Sequence, residues 1–273
     1  MTELNRTVLT VQHLTKDFVF RGGRAACGAG RVHRAVDGVS LDISEGEILG
    51  LAGGSGSGKS TLSRCIIRLV EPDSGRVFLR GEDVRAAKGS DLRALRRRIQ
   101  MVFQDPYASL DPRMTVGAAI LEVGRVHKMP GSSDPNSFVA TLLDRVHLHR
   151  SMASRRPSEL SGGQRQRVAI ARALAADPDV LIADEAVSAL DVSVQAQLLN
   201  LFVDLRDELG LAILFVSHQL AVLAQISDRI AVMNAGRIVE LADTASLLSS
   251  PEHEYVRALL AAHPHPDPRQ RIL

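Results

Sequence analysis

The sequence predicts an α/β fold, because segments of strand length alternate with longer segments of helical periodicity. In the C-terminal half, apolar residues fill 180–183, Ala212–Val216 and 230–232, and helical patterns lie between them. A fourth apolar segment, 47–52, leads directly into a glycine-rich loop and then into a helical pattern over 61–70. Strands that are apolar on both faces are typical of a parallel sheet covered by helices.

The N-terminal region has a different pattern. Residues 8–14 and 39–43 alternate apolar and polar side chains, which predicts half-buried strands of an antiparallel β portion. The stretch 21–34 is rich in Gly, Ala and Arg, and we expect it to form the loop between these strands. Residues 99–103 predict one further strand.

Helical periodicity dominates residues 106–176, which predicts a largely helical subdomain. We expect one domain over residues 1–262. The remaining residues, 263–273, are expected to form a loose C-terminal tail because prolines recur there.

The chain has 273 residues, of which 45% are hydrophobic and 23% charged, so a folded protein is expected. The net charge is only +2, aromatic residues make up 3% and tryptophan is absent, so no nucleic-acid partner is predicted. We interpret the densest basic run as the solvated end of a helix; it consists of Arg93, Arg96, Arg97 and Arg98.

No segment predicts insertion into a membrane. The N-terminus lacks the apolar core of a signal peptide, and no window holds roughly 18 uninterrupted apolar residues. The two cysteines, Cys27 and Cys65, are too few for a four-cysteine metal site or a disulfide framework, and they fit a reducing compartment. If the protein works at a membrane, another chain is expected to provide the span.

A glycine-rich loop after the strand at 47–52 matches the phosphate-loop pattern G-x-x-x-x-G-K-[ST] at every fixed position. Glycines let the backbone wrap closely around a triphosphate, and the following helix N-terminus adds partial positive charge. Lys59 is expected to contact the β- and γ-phosphates of the bound triphosphate, and Ser60 to place its hydroxyl on Mg²⁺. The candidate nucleotide-binding residues are Gly53, Gly54, Ser55, Gly56, Ser57, Gly58, Lys59, Ser60 and Thr61.

A second apolar strand ends in two carboxylates, Asp184 and Glu185, at the sheet edge where ligands of open α/β sheets bind. Mg²⁺ prefers oxygen ligands, so Asp184 is the candidate metal ligand, directly or through water. Glu185 is the candidate general base for the attacking water.

The segment Leu160-Ser161-Gly162-Gly163-Gln164 is a Ser-Gly-Gly turn that opens a helix, which is a second potential anion site. With the helix that follows over 165–174, it resembles the signature segment of ABC ATPases. The resemblance covers roughly residues 7–262 and implies a P-loop NTPase fold of the ABC-type ATPase domain, with an antiparallel β portion and a helical subdomain. It also implies that two such domains pair head to tail, so that Ser161, Gly162, Gly163 and Gln164 close on the partner's ATP.

Further residues stand in the order that this resemblance implies. Gln104 lies in a segment that resembles the Q-loop, near Mg²⁺ and the attacking water. Asp191 ends a segment similar to the D-loop at the dimer interface, and His218 follows a strand as the switch histidine does, contacting the γ-phosphate. Phe18 stands where the family places an aromatic ring on adenine; a core role is equally open, because Phe20 is close.

Residues 104–113 and 250–260 resemble segments of oligopeptide, dipeptide and nickel importer ATPases, as does the long insertion before Val36. An ordinary connector with Asp-Pro turns is the alternative for the first segment. The branch implies a second ABC ATPase subunit (the same chain or a different one), permease subunits and, indirectly, a substrate-binding protein. It implies a peripheral location at the cytoplasmic face of the cell membrane.

Two positions depart from the family pattern. Ala186 and Val187 replace the usual Pro-Thr, and we expect a modest change in D-loop positioning. Gln219 replaces an Asp that often follows the switch histidine, and we expect slower turnover. A catalytically weak ATP-binding regulatory subunit therefore stays open as an alternative. A non-transport ABC ATPase is the other alternative, although the chain lacks the long coiled coil, second ATPase domain or zinc cysteines of such proteins.

Overall fold

The computed structural model of the protein describes residues 7–20, 31–104, 110–188 and 190–262. The strands are β1 (Thr7–Phe20), β2 (Arg31–Ser44), β3 (Ile48–Ala52), β4 (Ser74–Leu79), β5 (Glu82–Asp83), β6 (Ile99–Val102), β7 (Val180–Asp184), β8 (Ala212–Val216), β9 (Arg229–Asn234) and β10 (Arg237–Asp243). The helices are α1 (Lys59–Ile66), α2 (Gly89–Arg98), α3 (Val116–Val126), α4 (Pro135–Arg145), α5 (Gly162–Leu174), α6 (Val192–Leu209), α7 (Leu220–Ile226), α8 (Thr244–Ser249) and α9 (Glu254–Ala261). Short 3-10 helices at Arg150–Ser154 and Pro157–Glu159 precede α5.

Over the described ranges, six strands form the central sheet, in the order β10-β9-β3-β8-β7-β6. β10 is antiparallel to β9, and the other neighbours are parallel, as the sequence predicts. Every residue of β3, β7 and β8 is buried, which is why these segments are apolar throughout. The carboxyl ends of these three strands are adjacent, so the loops that follow them meet at one edge of the sheet.

The predicted antiparallel portion is a second sheet, in which the described strands have the order β2-β1-β4-β5. Helix α1 packs against β1, β2 and β7, so it lies between the two sheets. Its Leu62, Cys65 and Ile66 are fully buried in a core cluster that takes residues from both. This packing fixes the start of α1, and with it the end of the phosphate loop.

The stretch between β6 and β7 is helical and contains no strand within its described residues, 110–179, in agreement with the predicted helical subdomain. Side-chain oxygens cap the first turns of its helices: Thr115 begins α3, Asp134 begins α4 and Ser161 begins α5. The apolar faces of these helices join the core cluster on the far side of the central sheet. Nowhere in the described part of the chain does a helix have the length and apolar character needed to cross a bilayer.

Two predicted boundaries were wrong. The helix predicted over 61–70 ends at Ile66, because Arg68 has a φ of +53° and the chain turns there before Pro72. The loop predicted over 21–34 extends too far, because residues 31–34 belong to the strand Arg31–Ser44, which pairs with β1. Residues 21–30, the segment 105–109 and the predicted tail 263–273 lie outside the described residues.

The interpretation of the basic run as a solvated helix end was wrong for three of its arginines. Arg96 donates to the backbone carbonyls of Ile67 and Arg68 at the end of α1. Arg97 donates to Ala176 O at 2.9 Å, and Arg98 donates to carboxylates of Asp179 and Glu82 at 2.6 Å each. Arg93 is exposed, as predicted. The run therefore joins α2 to its neighbours, which periodicity on one helix does not reveal.

Candidate functional site

The phosphate loop connects β3 to α1 and needs glycine at two points for steric reasons. Gly53 has a φ of +152°, and a Cβ there would overlap the carbonyl oxygen of Met233. Gly58 has a φ of +106°, and a Cβ there would overlap the carbonyl oxygen of Ala35. A side chain at either position would be strained and would also collide with backbone. The two glycines thus allow the loop to lie against β9 and β2.

Lys59 holds this loop together from inside. Its Nζ donates to Gly53 O at 2.8 Å and to Gly54 O at 2.9 Å, and its side chain is buried. Burial lowers the pKa of Lys59, while the nearby carboxylates of Glu185 and Asp184 oppose that shift. The lysine charge is therefore poorly hydrated and surrounded by acceptors, which is a suitable environment for attracting phosphate oxygens.

Ser60 and Asp184 bring two oxygen ligands together across the sheet edge. The Ser60 hydroxyl donates to Asp184 Oδ1 at 3.0 Å. Asp184 is 4% exposed, and burial raises the pKa of its carboxyl group above the ordinary value. A charged Asp184 is consequently costly in the nucleotide-free protein, and a cation beside it would offset that cost.

Glu185 and His218 lie close together because β7 and β8 are neighbouring strands that end at the same level of the sheet. Asp184 pairs with Val216 in the sheet register, and the Glu185 N–H then donates to Val216 O at 3.0 Å. Glu185 has a φ of +51°, a conformation in which a non-glycine residue is strained. His218 Nδ1 lies 3.5 Å from Glu185 Oε1.

A chain of hydrogen bonds connects Gln104 to the backbone of Glu185. Gln104 Nε2 donates to Ser188 Oγ at 3.4 Å, and Ser188 Oγ donates to Glu185 O at 3.0 Å. Ala186 and Val187, the two departures from the family pattern, are both buried in the core cluster of this region. Apolar packing and the Ser188 bonds therefore define the turn after Glu185 without a proline.

Two cavities open on this site. One of about 300 Å³ is lined by Phe18, His33, Ala35, Ser55, Gly56, Gly58, Lys59, Ser60, Thr61 and Glu185. Another of about 910 Å³ lies towards the helical portion and includes Gln104, Arg64, Ser60 and Asp184 in its lining. Ser60 borders both. Phe18 thus faces the smaller cavity, with Lys16 Nζ 5.6 Å from its ring centroid.

The signature segment lies elsewhere: Ser161, Gly162, Gly163 and Gln164 line neither cavity. Ser161 Oγ accepts the Gln164 N–H at 3.3 Å, and Gln164 Oε1 accepts the Ser161 N–H at 3.0 Å. A Cβ on Gly163 would overlap Val194 Cγ1 of α6. Asp191 caps α6, accepting the Val194 N–H at 2.9 Å. Within the described residues, the signature segment is therefore not part of the lining of either cavity.

Sequence reasoning missed Tyr255 as a residue of the site. Its hydroxyl accepts the N–H of Gly54 at 3.2 Å, although the two residues are 201 positions apart. No spacing or local motif relates them, and the resemblance of residues 250–260 to one transporter branch does not point to a contact with the phosphate loop. It also missed Arg64, whose charge opposes the rise in the pKa of Asp184.

The geometry described above agrees with a comparison of the sequence with protein families. The family model described as ABC transporter matches residues 36–188, more than half of the chain. The chain belongs to the ABC transporter family. It binds ATP, and its enzymatic activity is ATP hydrolysis coupled to transport.

Two curated relatives are each 50% identical to this ABC ATPase. The match to the "Probable peptide ABC transporter ATP-binding protein y4tS" of Sinorhizobium fredii covers 99% of this chain and 76% of that protein. The match to the "Glutathione import ATP-binding protein GsiA" of Escherichia coli K12 covers 97% of this chain and 42% of that protein. The chain therefore spans less than half the length of GsiA.

Solved structures of ABC cassettes resemble the fold. The dimeric post-hydrolysis state of the cassette MJ0796, bound to ADP and Pi, has 29% identity and a TM-score of 0.74, covering 86% of this chain and 98% of that one. The cbiO1 protein of Clostridium perfringens has 26% identity and a TM-score of 0.76, covering 94% of this chain and 96% of that one.

Proposed function

We propose that this chain is the ATP-hydrolysing subunit of an ABC importer for small peptides. Support for the substrate comes from the two relatives, whose names specify peptide and glutathione. Neither name mentions nickel, the other substrate of the predicted branch. The observation that carries the catalytic part is the pairing of Glu185 with His218, beside the loop that holds Lys59.

Each residue has a role that follows from its surroundings. Lys59 and the backbone N–H groups of the phosphate loop bind the β- and γ-phosphates, and Phe18, which lines the same cavity as Lys59, packs against adenine. Glu185 accepts a proton from the attacking water as general base. His218, 3.5 Å from that carboxylate, orients it and contacts the γ-phosphate.

The site also fits Mg²⁺. The buried carboxylate of Asp184, the Ser60 hydroxyl bonded to it, and the side-chain oxygen of Gln104 in the same cavity would hold the ion. Burial raises the pKa of Asp184, so a divalent cation would remove an unfavourable interaction. When bound, Mg²⁺ supplies positive charge to the phosphate oxygens.

The position of the signature segment, residues 161–164, supports the assignment of partner subunits. Ser161, Gly162, Gly163 and Gln164 line neither of the two cavities beside the phosphate loop of their own chain, and we assign them, with Asp191, to the ATP site of a second ABC ATPase subunit. Permease subunits and, through them, a substrate-binding protein complete the importer, with this chain at the cytoplasmic face of the membrane. We assign the ATPase domain to residues 1–262, with the helical subdomain over about 106–176.

The catalytic proposal is tested by ATP hydrolysis and size-exclusion chromatography in ATP and Mg²⁺. Glu185→Gln is expected to lower kcat by about 10²–10⁴-fold, which is the usual contribution of a general base, and to accumulate as an ATP-bound dimer. Glu208→Gln, an exposed position at the end of α6, is the charge-matched control and should behave as wild type. Wild-type turnover that survives Glu185→Gln would contradict the assignment.

A second candidate, a regulatory subunit with weak catalysis, is favoured by one observation. Gln219 stands at the start of α7 without a side-chain capping bond, so the carboxylate of the family pattern has no substitute there. ATP binding without turnover, alone and with the permeases, would select this candidate.

The peptide assignment is tested by transport. In vesicles that contain the permeases, ATP-driven uptake of a labelled di- or tripeptide is expected. Uptake of Ni²⁺ without uptake of peptide would exclude the peptide assignment.

A further inference from the structure

The C-terminal helix α9 touches the phosphate loop through one side chain. The Tyr255 hydroxyl accepts the Gly54 N–H at 3.2 Å. Gly53 and Gly54 do not line the smaller cavity, whereas Ser55, Gly56 and Gly58 of the same loop do. The phenol therefore supports the loop from the side away from the nucleotide cavity. We propose that Tyr255 is a positioning residue for ATP binding, acting through Lys59.

The connection to Lys59 runs through a single peptide group. The carbonyl of Gly53 and the N–H of Gly54 belong to the same peptide unit, which is trans and therefore directs them to opposite sides. The carbonyl accepts from Lys59 Nζ at 2.8 Å, and the N–H donates to Tyr255 Oη at 3.2 Å. Tyr255 thereby fixes the orientation of the carbonyl that holds the lysine ammonium group.

This peptide needs an external support because glycine stands on both sides of it. No side chain on Gly53 or Gly54 restricts rotation about the bonds that flank the peptide, so its orientation depends on hydrogen bonds. Without the tyrosine hydroxyl, the Gly54 N–H would lose the acceptor described here, and the carbonyl on the lysine side would be free to turn away. A mobile carbonyl leaves Lys59 less well placed for the phosphates.

Tyr255 is itself held in place by well-connected neighbours. The Glu240 carboxylate of β10 accepts the N–H groups of Glu252 at 3.1 Å and His253 at 2.9 Å. His253 Nδ1 then accepts the Tyr255 N–H at 3.0 Å and caps α9. Val256 is fully buried in the core cluster. The phenol is thus presented by an anchored helix start, as a positioning role requires.

The inference rests on the proposed role of Lys59 in binding ATP, and it is tested with Tyr255→Phe, which removes one oxygen and keeps the ring. The Kd and KM for ATP are expected to rise by about 3- to 10-fold, which corresponds to the loss of one hydrogen bond. The kcat is expected to change by less than about twofold. Arg257→Ala, an exposed position on the same helix, should leave KM unchanged. A lower Tm with unchanged KM would reveal a purely structural role and overturn the inference.

A second variant tests the contact itself. A Cβ on Gly54 would lie 3.2 Å from Tyr255 Oη, and Gly54 does not have a positive φ, so Gly54→Ala introduces crowding at the hydroxyl. Gly54→Ala should therefore raise the Kd for ATP less in the Tyr255→Phe background than in the wild type. Additive effects would overturn the inference. Failure of the wild type to bind ATP would instead refute the proposed function.

Discussion

His218 Nδ1 and Glu185 Oε1 lie 3.5 Å apart, although the two residues come from different strand–loop connections. The sheet register explains the proximity, since Asp184 pairs with Val216 and the chain leaves β7 and β8 at the same level. Glu185 is further fixed by its N–H bond to Val216 O. A carboxylate and an imidazole at this distance can orient one another at the sheet edge, where the γ-phosphate is expected.

His218→Ala should lower kcat by about 10²-fold or more, because the imidazole orients the general base Glu185. The Kd for ATP should stay within a few-fold of wild type, because the imidazole contacts only the γ-phosphate of the nucleotide. Adding Glu185→Gln should cause little further loss, since residues that act as a unit are not additive. Single-turnover hydrolysis and equilibrium binding measure these effects. Multiplicative losses in the double variant would show that the two residues act independently.

Asp184→Asn should stabilise the nucleotide-free protein while impairing hydrolysis. Burial raises the pKa of Asp184, so its charge opposes folding, and asparagine keeps the oxygen that accepts from Ser60. A gain on the order of 1 kcal/mol would raise Tm by about 2–4 °C. Mg²⁺-dependent activity should fall by about 10- to 100-fold. Calorimetry without nucleotide checks the first effect, and a lower Tm would contradict it.

Gly163→Ala should destabilise the protein, although alanine is normally more favourable than glycine within a helix. The new methyl group would overlap Val194 Cγ1, and overpacking of this kind costs about 1–3 kcal/mol. The control is Gly162→Ala, whose Cβ would lie 3.3 Å from Leu190 Cδ2 and should cost less. Urea unfolding measures both.

A second substitution should relieve the overlap caused by Gly163→Ala. Val194→Ala removes the methyl group that a Cβ on Gly163 would meet. The double variant Gly163→Ala/Val194→Ala should therefore be more stable than the sum of the two single changes predicts. If no recovery is observed, the two helix starts are not in contact in solution.

Cys65 should make stability fall at alkaline pH. Burial raises the pKa of this thiol from its ordinary 9.0 to about 11, so the folded protein keeps its proton where the unfolded chain has lost it. The contribution of the protonated thiol to the free energy of unfolding is fully present below about pH 9 and is lost as the pH rises towards 11. Between these values, Tm should fall more steeply in Cys27→Ser than in Cys27→Ser/Cys65→Ala. Parallel curves would contradict the prediction.

The parts of the site that the sequence predicted are those encoded locally. The phosphate loop directly follows its buried strand, and the Asp184–Glu185 pair directly ends another apolar strand, so motif and periodicity are sufficient to find each. The bond between Tyr255 and Gly54, and the attachment of Arg96 to the end of α1, depend on where distant segments pack. β4 was missed as well, because only its Val77 and Leu79 are buried. Single-chain patterns contain no information about such partners.

The bonds from Lys59 to the Gly53 and Gly54 carbonyls have a calorimetric consequence. Because the loop is already folded around its lysine, ATP exchanges polar contacts and orders little backbone. Its binding to the isolated subunit should therefore show a small heat-capacity change, whereas association of two subunits buries apolar surface and makes that change strongly negative. Titrations at several temperatures would thus separate nucleotide binding from subunit closure by their heat alone.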